Sequence, residues 1–342
     1  MKIAINGFGR IGRVTARQLF SNPELRKSLE LVAINDLASP KDLAFAMKHD
    51  STHGKLPFEI THDAESITID GLRFACLKVP NPAELPWGKL GVDLVLECSG
   101  RYTDKEAAMA HIKAGAKKVI ISAPAKGVDL TVVMGVNHTS YDATKHQVLS
   151  NASCTTNCLA PVVHTLHKNF GLKHGFMTTI HSYTSDQRLI DNIHNDPRRS
   201  RTAGTNMIPT TTGAAKTVGE VIPELKGKLD GFSVRVPTPN VSLTDFVAEL
   251  NREVSVKEVN EALVKASQEN LKGVMQICSE PLVSSDFNGN PYSSIIDIEC
   301  TKVIGGSGDK GTMVKVDAWY DNETGFSTRM LELCQLVASK GV

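Results

Sequence analysis

The 342-residue sequence is 41% hydrophobic and 22% charged, which is ordinary globular usage and excludes a disordered, fibrous or low-complexity chain. At about 150 residues per domain it predicts two domains, with enough chain to bury a core without a metal or disulfide staple. A net charge of +1 leaves no global basic field for nucleic acid or an anionic membrane, so any anion binding must come from local groups.

The first segment, Met1–Gly7, turns glycine-rich where a secretory signal would need about 7–15 apolar residues. No run of roughly 18 apolar residues follows, so no membrane span is expected. Lys2–Asn6 is an apolar strand, and Arg10–Phe20 carries apolar residues at helical spacing. Leu31–Asn35 is a second strand and Ser39–Met47 a second helix, with Pro40 near its start. Between Phe58 and Leu77 the pattern alternates around Asp70-Gly71, which predicts a hairpin. Asp93–Glu97, Lys118–Ser122 and Val132–Met134 are predicted strands, and Asp104–Ala114 is a helix. This βαβ alternation argues a parallel, doubly wound sheet.

From about residue 150 the texture changes. A helix near Cys154–Phe170 precedes longer strand-like runs at Gly175–Tyr183, Gly231–Val236, Ser242–Leu250, Ile295–Glu299 and Thr312–Tyr320. Helices interleave at Ala214–Val221 and Val256–Gln268, and a final helix covers Phe326–Lys340. That is an α+β pattern with long antiparallel-like strands.

Gly7-Phe8-Gly9-Arg10-Ile11-Gly12 follows a strand and opens a helix, the context in which G-x-G-x-x-G binds a dinucleotide pyrophosphate. A glycine-rich turn without a ligand is the alternative. Asp36, at the end of the second strand, favours the ligand: its carboxylate suits ribose hydroxyls and repels a 2′-phosphate, so NAD is expected over NADP. Its rival role is to cap the next loop.

Asn151–Cys158 joins a strand to a helix whose stripe is Leu159, Val162, Val163, Leu166 and Phe170. Ser153 suits the N-cap, which sets Cys154 in the first turn, where the helix dipole favours thiolate over thiol. Pro161 is expected to kink this helix. Cys158, one turn deeper, reads as a buried structural cysteine, and two such cysteines remain the alternative for the pair. No metal site is expected, because the two lie at i, i+4 with no second cysteine pair. Seven scattered cysteines suit a reduced, cytoplasmic protein in which a special cysteine is catalytic rather than bridged. A reactive thiolate wants a basic partner. Among eleven histidines, His181 stands in a polar strand-like run, but composition does not choose it over His164 or His167. Thr210-Thr211-Thr212-Gly213 opens another helix and predicts a phosphate cradle. Arg198, Arg199, Arg201 and Arg235 are the nearby guanidinium groups. A solvated loop or a subunit contact is the other reading of that arginine cluster.

INGFGRIGR, ASCTTNCLAP, TGAAK, RVPTPNVS and WYDNE together resemble phosphorylating glyceraldehyde-3-phosphate dehydrogenases, in the family's order and separations, along the whole chain. The resemblance implies a Rossmann-type doubly wound α/β domain over 1–152 and an α+β catalytic domain with a mostly antiparallel sheet over 153–320. A C-terminal helix in 321–342 would pack back on the first domain. It implies oxidation of D-glyceraldehyde 3-phosphate to 1,3-bisphosphoglycerate with NAD and inorganic phosphate, and a homotetramer. Carried over, Cys154 is the nucleophile and His181 its base. Ser153, Thr155, Thr184, Arg199, Thr212, Gly213 and Arg235 resemble substrate and phosphate contacts. Gly7, Gly9, Arg10, Ile11, Gly12, Asp36, Ser122 and Asn322 resemble cofactor contacts. Asn192-Ile193 stands where many NAD-specific members carry Leu-Pro, Phe326 replaces a common tyrosine, and Gly305–Gly311 resembles a lengthened surface turn. An erythrose-4-phosphate dehydrogenase and a non-catalytic binding protein are the rival readings; Tyr183-Thr184 matches the glyceraldehyde type.

Overall fold

A computed structural model describes residues 1–342, which divide into two compact units. The first comprises Met1–Val132, His138–Ala152 and Ser327–Val342; the second comprises Val133–Asn137 and Ser153–Phe326.

The first unit is built on a nine-stranded sheet. Lys2–Asn6 lies at its centre, paired in parallel with Glu30–Asn35 on one side and Leu94–Glu97 on the other. Beyond Leu94–Glu97 run Lys118–Ile121, Val148–Ser150 and Leu130–Thr131, all parallel. Beyond Glu30–Asn35 runs Leu72–Leu77, again parallel, followed by the antiparallel strands Ser66–Ile69 and Ile60–His62. The chain winds outward in both directions from Lys2–Asn6, so the switch in strand order falls between it and Leu94–Glu97, where α/β sheets bind ligands. Ile3, Ala4, Ile5, Leu94, Val95 and Leu96 are buried on both faces, as a parallel sheet requires. Burial of each large aliphatic side chain contributes about 1.5–3 kcal/mol.

Local signals set the helix boundaries. Ser39 caps Pro40–Lys48 by accepting from the Asp42 N–H, and Asp104 caps Lys105–Lys113 through the Ala107 N–H. Asp70 and Gly71 both take positive φ (51° and 77°), the two-residue hairpin turn between Ser66–Ile69 and Leu72–Leu77. One expected strand is displaced. Pairing occurs at Leu130–Thr131 rather than Val132–Met134, because the Asn137 side chain takes the Val133 N–H (2.8 Å) and turns the chain. Val148–Ser150, at three residues, was too short to show alternation.

The second unit carries a seven-stranded mixed sheet in the order Ile208–Thr211, Leu229–Val236, Leu172–Ser182, Ser242–Ser255, Lys310–Tyr320, Ser294–Ile304, Met275–Cys278. Leu172–Ser182 pairs in parallel with Leu229–Val236, and Met275–Cys278 with Ser294–Ile304; the other pairings are antiparallel. The short strands Ile208–Thr211 and Met275–Cys278 were not foreseen. Alternating burial along Ser242–Leu250 marks one face as core. Cys154–Phe170 is a single 17-residue helix running through Pro161. The expected kink does not end it, since nearly every residue from Thr155 to Leu166 is buried and that packing outweighs the lost backbone bond. The glycine-rich segment after Ile304 is the exposed turn of the hairpin formed by Ser294–Ile304 and Lys310–Tyr320.

Candidate active site

In the first unit the three fingerprint glycines play three different steric roles. Gly7 holds φ +91°, and a Cβ there would lie 2.4 Å from the Ser99 nitrogen. A Cβ on Gly12 would lie 2.3 Å from the Gly7 carbonyl oxygen, so that glycine permits the helix to sit against the turn. A Cβ on Gly9 would meet nothing within 4 Å, which is the open approach a pyrophosphate needs. The helix Arg10–Ser21 starts at Gly9 without a capping side chain, so an anion can serve that role. The residues present therefore fit a dinucleotide.

Asp36 both caps and reaches back. Oδ1 accepts from the Ala38 N–H (3.1 Å), and Oδ2 accepts from the Phe8 N–H (2.8 Å) inside the glycine turn. Its carboxylate is thereby fixed beside the turn, with lone pairs left for ribose hydroxyls. The Arg10 guanidinium is paired with Asp50. Burial alone would raise the Asp50 carboxyl, but Arg10 and the His53 and Thr52 N–H groups hold it down to about 2. Ser122 follows Lys118–Ile121 and donates its N–H to the Glu97 carbonyl (2.9 Å).

In the second unit, Ser153 caps the helix by accepting from the Thr156 N–H (3.0 Å), and Cys154 is its first residue. Cys154 Sγ lies 3.5 Å from His181 Nε2. His181 is in the strand Leu172–Ser182, paired directly with Arg235 on Leu229–Val236. Its Nδ1 lies 2.7 Å from the Ser182 carbonyl oxygen and 2.8 Å from Arg235 Nη1. Nδ1 thus faces both an acceptor, the carbonyl, and a donor, the guanidinium; the tautomer that gives its Nδ1 proton to the carbonyl is the one that leaves Nε2 with a lone pair facing sulfur, able to take a proton from the thiol.

Burial pushes the Cys154 thiol up, against the lowering influence of Arg235 and the Thr155 N–H and hydroxyl. Burial thus opposes the thiolate form that the first-turn position favours. Burial, then Arg235, brings the His181 imidazole down to about 3. Both shifts favour the neutral form of each group taken alone. The pair in contact titrates as a unit, the proton moving from sulfur to nitrogen with the two new charges adjacent.

The other expected contacts fall into two sets. Arg235, besides touching His181, donates to the Ser182 carbonyl (3.0 Å). Arg199 lies in the loop before Ile208–Thr211, where Nε donates to Thr210 Oγ1 (2.9 Å) and Nη1 pairs with Asp186. Thr212 Oγ1 accepts from the Ala214 N–H (3.2 Å) at the start of Ala214–Val221, and Gly213 is that helix's N-cap. The Thr155 hydroxyl turns into the core, 2.9 Å from the Tyr320 hydroxyl. The Thr184 N–H donates to Gln187 Oε1 (3.3 Å). Arg198 and Arg201 are exposed, and Arg201 pairs with Asp191 (2.8 Å). Cys158 is wholly buried, with Sγ 3.4 Å from Thr244 Oγ1, and burial drives its thiol up to about 12.

Four side chains around these residues were missed by sequence reasoning. Tyr320 is buried, its hydroxyl shared with Thr155 and Thr179 (2.8 Å), and its ring meets His181 edge-on at 5.9 Å. It lies inside the WYDNE motif, which was a signal in itself. Ser182 and Ser242 both donate to Asn322 Oδ1 (2.8 and 3.0 Å), leaving the Asn322 NH₂ as the group with donors to offer. Ser242 follows Val241, a β-branched residue at φ +69°, a costly conformation of the kind that clusters at functional sites. Asp186 had no sequence signal at all.

Comparison with known proteins decides the family. Residues 1–105 match the description "Glyceraldehyde 3-phosphate dehydrogenase, NAD binding domain", and residues 153–322 match the C-terminal domain of the same enzyme. The chain belongs to the glyceraldehyde-3-phosphate dehydrogenase family. It is 53% identical over its full length to "Glyceraldehyde-3-phosphate dehydrogenase" of Geobacillus stearothermophilus, of which it covers 99%. It is likewise 53% identical, at the same coverage, to "Glyceraldehyde-3-phosphate dehydrogenase 1" of Bacillus subtilis (strain 168). A relative from Zymomonas mobilis is 52% identical over 340 residues. Family membership makes the chain an oxidoreductase that uses a nicotinamide dinucleotide, consistent with the glycine turn and Asp36. No helix is long and apolar enough to cross a membrane.

Proposed function

We propose that the protein oxidises D-glyceraldehyde 3-phosphate to 1,3-bisphosphoglycerate with NAD and inorganic phosphate, through a thioester on Cys154. The observation that carries this reading is the 3.5 Å contact between Cys154 Sγ, at a helix start, and His181 Nε2. Sulfur loses its proton to Nε2 and attacks the aldehyde carbon; the imidazolium returns a proton to the new alkoxide, giving a hemithioacetal. Bound NAD supplies the hydride acceptor. His181 Nε2 takes the hydroxyl proton as the carbon is oxidised, and general-base help of this kind contributes roughly 10²–10⁴ in rate. The product is the Cys154 thioester, which inorganic phosphate attacks, releasing the acyl phosphate and restoring the sulfur.

Two anions need holding, the substrate's phosphate and the attacking one. Arg199, Arg235, Thr184, Thr212 and Gly213 serve them, with Ser153 and Thr155 framing the thiol. Gly7, Gly9, Arg10, Ile11, Gly12, Asp36 and Ser122 hold the dinucleotide, and the Asn322 NH₂ takes the nicotinamide carboxamide. Residues 1–152 act as the dinucleotide-binding domain, 153–320 as the catalytic domain, and 321–342 return to the first. NAD is preferred over NADP because the Asp36 carboxylate repels a 2′-phosphate. The protein works as a cytoplasmic homotetramer; its unbridged cysteines suit a reducing compartment. Leu189, Ile190, Ile193 and Met207, each more than two-thirds exposed in one loop, suit a surface covered by another subunit.

Steady-state assay of the purified protein tests the reading. NADH formation from glyceraldehyde 3-phosphate should require phosphate or arsenate for multiple turnovers. Erythrose 4-phosphate and NADP should each give lower kcat/KM. A higher kcat/KM with erythrose 4-phosphate, or sustained turnover without phosphate, overturns it.

A further inference from the structure

Glu97 ends the strand Leu94–Glu97 at the sheet's switch point, and at 1% exposure it is a buried carboxylate that the reaction above does not use. Its oxygens collect hydrogen bonds from three directions. Oε2 accepts from Asn6 Nδ2 (2.6 Å) and lies 2.9 Å from His111 Nε2; Oε1 accepts from the Ser99 N–H (2.8 Å) and the Ser99 hydroxyl.

The direction of every one of these bonds is set by a group that can only donate. Trp87 Nε1 donates to His111 Nδ1 (3.1 Å), so the His111 ring proton sits on Nε2 and faces Glu97. The Val79 N–H donates to Asn35 Oδ1 (2.9 Å), which turns the Asn35 NH₂ onto Asn6 Oδ1 (2.7 Å) and so turns the Asn6 NH₂ onto Glu97. The Arg101 N–H donates to Ser99 Oγ (3.2 Å), leaving the Ser99 hydroxyl proton for Glu97. All the arrows converge on one side chain, and a carboxylate is the group with lone pairs enough to receive them.

This network lies under the glycine turn. Gly7 rests against Ser99 so closely that a Cβ has no room, and the Gly7 N–H donates to the Asn35 carbonyl (2.8 Å). Asn6 is the residue immediately before Gly7. Glu97 thus ties together the residue before the turn, the segment the turn rests on, and the strand it is bonded to.

We infer that Glu97 is a positioning residue for the cofactor: it holds the Gly7–Gly12 turn and the Ser99 segment in the geometry that receives the dinucleotide. The inference rests on the nicotinamide-binding reading. Glu97→Gln keeps the shape but turns an NH₂ against donors that cannot reverse. Ser99→Ala removes only the hydroxyl arm and keeps the backbone one. Binding of NAD to purified wild type and to both variants is followed by titration calorimetry, alongside thermal melting and steady-state kinetics. Glu97→Gln should raise the Kd for NAD by about tenfold or more, the effect of one buried donor left unpaired, and Ser99→Ala should raise it less. KM for NAD should rise in step, while kcat at saturating NAD stays within about twofold. Val119→Ala, a core truncation in the same sheet, should lower the melting temperature without moving Kd. Failure of wild type to bind NAD sinks the nicotinamide reading itself. Binding by wild type with unchanged Kd in both folded variants, or a Kd shift in Val119→Ala matching that of Glu97→Gln, overturns the role of Glu97.

Discussion

The two units solve the problem of holding a reactant by opposite means. The first builds its site largely from backbone: a turn with Gly7 at φ +91°, one missing Cβ that opens space, and helix N–H groups, with the Asp36 carboxylate brought in against the turn. The second builds its site from side chains that meet only in the folded state: Cys154, His181, Arg235 and Arg199 come from a helix, two strands and a loop. The difference teaches where chemistry is written. A backbone site is contiguous in sequence, whereas a side-chain site is distributed and its energetics depend on neighbours.

The strongest test of this contrast is on the second unit. Cys154→Ser should abolish oxidation, because a serine hydroxyl does not ionise appreciably at neutral pH, and the purified variant should show no NADH formation. Cys158→Ser, one helical turn away, should keep most activity, since Thr244, Ser294 and Ala318 surround that position with hydrogen-bonding partners. Retained oxidation in Cys154→Ser would remove the nucleophile from the side-chain site.

A smaller change should break the backbone site. Gly7→Ala adds one methyl at a positive φ, 2.4 Å from the Ser99 nitrogen, and should destabilise the turn by about 1–3 kcal/mol. Calorimetry should then show NAD affinity lost while alkylation of Cys154 by iodoacetamide proceeds at the wild-type rate. Wild-type affinity in this variant would mean the turn is not the cofactor's seat.

The arginines should give a graded result. Arg199→Ala and Arg235→Ala should each weaken use of phosphate or aldehyde by about 1.5–3 kcal/mol, read as kcat/KM. Arg235→Ala should also slow alkylation of Cys154, because its charge favours the thiolate and it touches His181; Arg199→Ala should not. Arg201→Ala, an exposed pair with Asp191, should change little. A defect confined to Arg201→Ala would mean the anion site belongs to other residues.

Much of this was legible in the sequence, for reasons that differ by residue. The glycine turn, Asp36, and Cys154 at a capped helix start could be read locally, as could the hairpin at Asp70-Gly71. His181 could not be separated locally from its rivals. The distinction is tertiary: His167 Nδ1 accepts the Leu172 N–H (3.1 Å) at its helix end, while only His181 faces sulfur. Asp186 was invisible because its partner Arg199 is paired across a loop. Burial, which opposes the thiolate form at Cys154, could not be read from the sequence, because helix position is a sequence property and burial is not. Strands of three or four residues, such as Val148–Ser150, carry too few alternations to be seen.

The last sixteen residues, Ser327–Val342, belong to the first unit, where Thr328 donates to Gln18 (3.0 Å) across 310 positions of chain, and Met330, Leu331, Leu333, Cys334 and Val337 are buried. A ribosome makes the nine-stranded sheet early, at roughly 5–20 residues per second, but cannot deliver the helix that completes its core until it has passed Phe326. The second unit's chain is by then already made. The nascent first unit therefore waits, incompletely covered, for the whole length of its neighbour, an interval in which exposed apolar surface is open to chaperones and to aggregation.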